Sequence, residues 1–139
     1  MEKLIAKAYE LLEKKQVCYD DDTYDPWDLD NLELEYLSAH LGMYKICKRI
    51  SSDEIVKAIF SNPTIENWRR LFKHIKKNYS SIVGVYYNDI NDRKQMTIGY
   101  VDRCIVINAY DDFETKITQG IDWLVDEIQG SVEYIEENL

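Results

Sequence analysis

Apolar residues return at intervals of three and four through most of this chain, and where that spacing fails the periodicity changes to two. Leu4, Ile5, Ala8, Leu11 and Leu12 make one stripe of a first helix over about Glu2 to Lys15. A second helix is predicted from Glu33 to Arg49, with Leu37, His40, Leu41, Tyr44 and Cys47 on its stripe and Gly42 as a point of bending. Ser51-Ser-Asp-Glu54 has the composition of a helix start and opens a short helix through Ile55, Ile59 and Phe60, which Ser61-Asn-Pro63 ends. Pro63 suits the first turn of the next helix, whose stripe is Trp68, Leu71, Phe72, Ile75 and Tyr79.

The change of period comes at residue 82. Ile82–Tyr87, Met96–Val101 and Cys104–Asn108 are short runs of β-branched and aromatic residues joined by polar connectors, so they read as a three-stranded antiparallel meander. The first connector, Asn88–Lys94, is a hairpin loop, and Asp102-Arg103 is a tight turn. In the third run Cys104 and Val106 alternate with Ile105 and Ile107, which predicts apolar residues on both faces and a cover for each. Helical spacing then resumes in Ile117, Ile121, Leu124, Val125, Ile128, Val132 and Ile135, after a cap at Asp111 or Asp112. Gly120 and Gly130 are the positions where this last helix would be interrupted. The predicted architecture is α+β in a single domain spanning residues 1–139: N-terminal helices, a meander over about 82–108, and a long C-terminal helix packed on the sheet.

Charge sharpens this picture. The net charge of −9 and the pI of about 4.7 disfavour direct binding to nucleic acid or to an anionic membrane and favour a basic partner. No apolar run is long enough to span a bilayer, the N-terminus lacks the apolar core of a secretory signal, and Cys18, Cys47 and Cys104 form no CxxC pair. The expectation is a cytoplasmic protein with reduced thiols, of which Cys47 and Cys104 sit at apolar positions suited to inert burial.

Acidic residues concentrate in one segment. Asp20, Asp21, Asp22, Tyr24, Asp25, Trp27, Asp28, Asp30, Glu33, Glu35 and Tyr36 follow one another with no Lys or Arg between Val17 and Tyr36, and Pro26 breaks helical periodicity among them. As an EF-hand loop the segment fails. Counted from Asp20, its sixth position is not Gly, and Asn31 stands where a bidentate Glu is required. Neither a metal nor a cofactor is expected. A bland reading is a solvated surface loop. A functional one is a docking surface, in which carboxylates pair with Arg and Lys while Tyr and Trp serve as rigid anchors.

Catalytic motifs are missing from the sequence. His40 and His74 have no HxH or HExxH partner, and there is no GxSxG, P-loop or GxGxxG, so no enzyme is expected. Arg69, Arg70, Lys73, Lys76 and Lys77 form the one basic helix face, too small for a phosphate footprint on its own. The leading expectation is a small inhibitor that acts by binding: an immunity protein or antitoxin that neutralises a basic nuclease-type toxin, or a phage-encoded inhibitor of a nucleic-acid-handling defence enzyme. The resemblance to immunity proteins is one of size and charge, with no motif behind it. A structural or regulatory interaction module that forms a homodimer or larger homo-oligomer, and then an enzyme of unrecognised type, are the alternatives.

Overall fold

A computed structural model describes residues 1–16, 22–100 and 102–139. Its elements in chain order are α1 (Glu2–Lys14), α2 (Leu29–Ser51), α3 (Glu54–Ser61), α4 (Ile65–Asn78), β1 (Val83–Asn88), β2 (Arg93–Gly99), β3 (Cys104–Asn108) and α5 (Phe113–Asn138). The class is α+β, with an antiparallel sheet of order β1-β2-β3. Two compact units share the chain: Met1–Tyr44 with Asp122–Leu139, and Lys45–Ile121. Helices α2 and α5 each contribute to both.

The first unit is helical. Ala8 of α1, Leu34, Leu37 and Leu41 of α2, and Ile128, Val132 and Ile135 of α5 make its core, flanked by Leu4, Ile5, Leu11 and Leu12. Apart from Leu34, these are residues that the three- and four-residue spacing selects, because only that spacing keeps one side of a helix out of water. The last turn of α5 carries Glu136 and Glu137 at the negative end of its macrodipole, and the ion pair of Lys7 with Glu136 brings a positive charge there. The helix continues to its end, with the Leu139 N–H donating to the Ile135 carbonyl at 3.0 Å.

The second unit holds the sheet. Its register places Val83, Val85, Tyr87, Lys94, Met96, Ile98, Ile105 and Ile107 on one face. Trp68, Leu71 and Ile75 of α4 and Phe113 and Ile117 of α5 are buried in the same unit, and Phe60 of α3 stacks on Phe113 with ring centroids 4.9 Å apart. The start of α5 therefore packs on the sheet, with Gly120 directly against Ile105. Cover stops at one face. Cys104 and Val106 are exposed, contrary to the expectation of a strand buried on both sides, since alternation reports which residues share a face and not whether anything lies over it.

Other boundaries move for local reasons. Helix α2 starts at Leu29 rather than near Glu33, because the Asp28 carboxylate accepts the Asp30 N–H at 2.9 Å in the manner of an N-cap and the Leu32 N–H bonds the Asp28 carbonyl at 3.0 Å. Thr64 caps α4, which puts Pro63 just outside that helix instead of in its first turn. Strand β2 begins at Arg93 and ends at Gly99, shortening the hairpin loop, and Asp102 and Arg103 lie in the bend between β2 and β3, which two backbone hydrogen bonds between Tyr100 and Arg103 close. Val101 lies outside the described residues.

Neither Gly42 nor Gly120 breaks its helix, yet they differ in what surrounds them. A methyl at Gly42 meets nothing within 4 Å, whereas one at Gly120 falls 2.7 Å from the Cδ1 and 3.0 Å from the Cγ2 of Ile105. In thermal or urea melting Gly42→Ala is expected to stabilise by about 1 kcal/mol through helix propensity. Gly120→Ala is expected to destabilise by about 1 kcal/mol or more, because overpacking against buried Ile105 exceeds the same gain. Equal effects at the two positions would contradict the close approach of α5 to β3.

Candidate protein-binding surface

The acidic segment is built as an ordered turn followed by a helix start. Pro26 fixes φ at the second position of a turn whose ends are joined by the Asp28 N–H donating to the Asp25 carbonyl at 3.1 Å. The Asp25 side chain accepts the Trp27 N–H at 2.9 Å, and the Asn31 side-chain amide donates to the Asp25 carbonyl at 2.8 Å. Tyr24 donates its hydroxyl to Glu35 at 2.6 Å and so ties the turn to α2. Tyr134 of α5 does the same for Asp30 at 2.9 Å. Four of the clustered carboxylates thus accept a directed N–H or O–H, which offsets mutual repulsion without a cation.

The Tyr134 phenol records the density of negative charge. Its pKa is raised, first by the hydrogen bond to Asp30, then by burial and by the neighbouring charges of Asp30, Glu33 and Asp28. These carboxylates consequently share one local field. Asp22, Asp25 and Asp28 are exposed, and between them Trp27 is 85 % and Leu29 60 % exposed. Tyr24, Asp30, Glu33, Glu35 and Tyr36 are half-buried; Tyr36 has its ring 6.5 Å from that of buried His40, which in turn meets Trp123 edge-on at 5.7 Å. The outward set is therefore Asp22, Asp25, Trp27, Asp28 and Leu29, with the half-buried residues holding it in place. Asp20 and Asp21, proposed with this surface, lie outside the described residues, as does Cys18.

No family model, curated protein or solved structure matches this chain.

Residues far apart in sequence form two further polar clusters in the second unit. Asp53 caps α3 by accepting the Ile55 and Val56 N–H groups, and its other oxygen lies 2.6 Å from both His74 Nε2 and the Tyr79 hydroxyl. Burial alone would raise the Asp53 pKa, but the hydrogen bonds from Tyr79, His74 and Val56 outweigh it and hold the carboxyl below its ordinary value. Both nitrogens of His74 are engaged, Nε2 by Asp53 and Nδ1 by Asn78 at 3.2 Å, so this group clamps α3 to α4 and presents no base outward. Arg49 completes it, 4.9 Å above the Tyr79 ring and donating to the Asn78 carbonyl at 3.2 Å.

The second cluster surrounds Lys94, which lies buried on the covered sheet face and not in the predicted hairpin loop. Its ammonium is 2.5 Å from Asp92, 5.3 Å from the Tyr87 ring centroid and 5.8 Å from that of Tyr110, whose hydroxyl also donates to Asp92. Asp92 keeps the Lys94 ammonium charged by raising its pKa, and its own pKa is lowered in return. Neither cluster has a sequence signature. Their members are drawn together by the strand register and by helix packing, which a local pattern does not encode.

The thiols divide. Burial pushes the Cys47 pKa up to about 12, as expected of an inert core thiol, whereas Cys104 is exposed on the open sheet face instead of buried. Among the described residues no three His, Cys, Asp or Glu side chains converge on a metal-sized site, and no helix is long and apolar enough to cross a membrane.

Proposed function

We propose that this chain acts by binding a basic protein through Asp22, Asp25, Trp27, Asp28 and Leu29, and that it inhibits that protein by covering a cationic groove used for nucleic acid. One observation carries the reading: Trp27 is 85 % exposed although the turn around it is fixed by hydrogen bonds. Leaving an indole in water sacrifices about 2 kcal/mol of possible burial, and a rigid turn means that little entropy is lost when a partner supplies that burial. The surrounding carboxylates select a partner rich in Arg and Lys, steer its approach, and take the places of phosphates while the indole takes that of a stacked base. On this reading the chain is an inhibitor of the immunity-protein or antitoxin kind, or a phage-encoded inhibitor of a defence enzyme.

The test is affinity capture with the purified protein from lysate of its own host, at low and at high salt and with and without nuclease treatment. Recovery of one basic nucleic-acid enzyme, lost as salt rises and indifferent to nuclease, is the expected result. Recovery of nucleic acid itself, or capture that salt does not weaken, would overturn the proposal.

A further inference from the structure

A groove of opposite character lies in the second unit, between α4 and the edge strand β1. Ile65 and Phe72, each about one turn from Arg69 and on opposite sides of it along α4, form its helical wall; Val85 and Tyr87 form its strand wall; its volume is about 290 Å³. Phe72 belongs to the apolar stripe that the sequence assigns to the core, yet it is 53 % exposed, and Ile65 is 45 % exposed. Arg69 and Lys73 line the same groove, so an apolar trough carries two cations in a chain of net charge −9. Trp68 closes the base by donating its indole N–H to the Tyr86 carbonyl at 2.9 Å.

The strand wall is also an open hydrogen-bonding edge. The Gly99 N–H donates to the Ile82 carbonyl, and with Val83 opposite Ile98 the alternation turns the backbone groups of Gly84 and Tyr86 toward β2. Val85 and Tyr87 therefore direct their N–H and C=O outward, on the side where no further strand lies among the described residues. Charged side chains, Pro or a bulge commonly blunt such an edge, and β1 has none of them.

We propose that the groove binds an extended, acidic segment of a partner protein, which adds to β1 as a fourth strand. The segment pairs its backbone with Val85 and Tyr87. Side chains two residues apart on its inward face supply an apolar group to Ile65 and Phe72 and a carboxylate to Arg69 or Lys73. This surface is distinct from the acidic one and opposite in charge, so the chain has the means to hold two different partners.

A random-peptide display library selected on the immobilised full-length protein tests the proposal. Enriched peptides are expected to carry apolar and acidic residues at alternate positions, and a synthetic copy of one should bind about tenfold or more weakly to Phe72→Glu and to Arg69→Glu. Both sites are exposed, so the melting temperature reports whether either variant still folds. Amide hydrogen exchange at Val85 and Tyr87 should slow on binding, and Trp27→Ala should bind the peptide as the unaltered protein does. Failure to enrich any peptide, retention of affinity in Phe72→Glu, or slowed exchange elsewhere than β1 would each overturn it. So would self-association of the protein that Phe72→Glu abolishes, which would assign the groove to a second copy.

Discussion

Asp53→Ala is expected to lower stability by about 3 kcal/mol, the largest loss from any single polar substitution in this fold. About 1 kcal/mol of that is the N-cap of α3, and the remainder is the desolvation left behind when His74 and Tyr79 lose a buried anionic acceptor 2.6 Å away. Asp53→Asn keeps an acceptor for the cap and should cost less. Urea melting of Asp53→Ala, Tyr79→Phe and the variant carrying both forms a double-mutant cycle, in which coupling between Asp53 and Tyr79 of about 1 kcal/mol is expected and additivity would contradict the clamp.

The same carboxylate gives the stability a pH dependence of definite sign. Folding lowers the Asp53 pKa, so the native state holds fewer protons at this group than the unfolded chain. Its contribution is complete above the unfolded carboxyl range near 4 and is lost as the pH falls through the lower folded value. Replacing Asp53 by Asn should remove that part of the acid-side decline in the melting temperature.

Trp27→Ala is expected to weaken binding of the basic partner by about thirtyfold, corresponding to about 2 kcal/mol, with no loss of stability because the indole is exposed. Converting Asp22, Asp25 and Asp28 together to Asn should weaken it by more than tenfold and flatten its salt dependence. Asn retains the acceptor that fixes Trp27 and starts α2, so this triple variant separates charge from geometry. Calorimetric titration against the captured partner measures both. Unchanged affinity in both variants would move the interface off this surface.

The order of elements was legible in the sequence because burial imposes a period, and the apolar positions of α1 and α5 follow theirs closely. The same signal misled at Phe72 and Val106, where the period is kept but the side chain is exposed. It did not show that Asp53, His74 and Tyr79 converge, because they come together across more than twenty residues through packing of α3 against α4. Lys94 was hidden differently: a charged residue near a hairpin reads as loop, and only two tyrosine rings and Asp92 make its burial tolerable. The acidic segment was visible as composition. Its ordered turn depends on which carboxylate meets which N–H, and composition does not carry that.

In the proposed complex a basic partner sits on the turn bearing Trp27. Amide hydrogen exchange of the captured complex, followed by mass spectrometry, tests it most directly. Slowed exchange in peptides covering residues 22–36, with the rest of the chain unaltered, is the predicted footprint. Slowing confined to other segments, with residues 22–36 exchanging as they do in the unbound protein, would contradict the account.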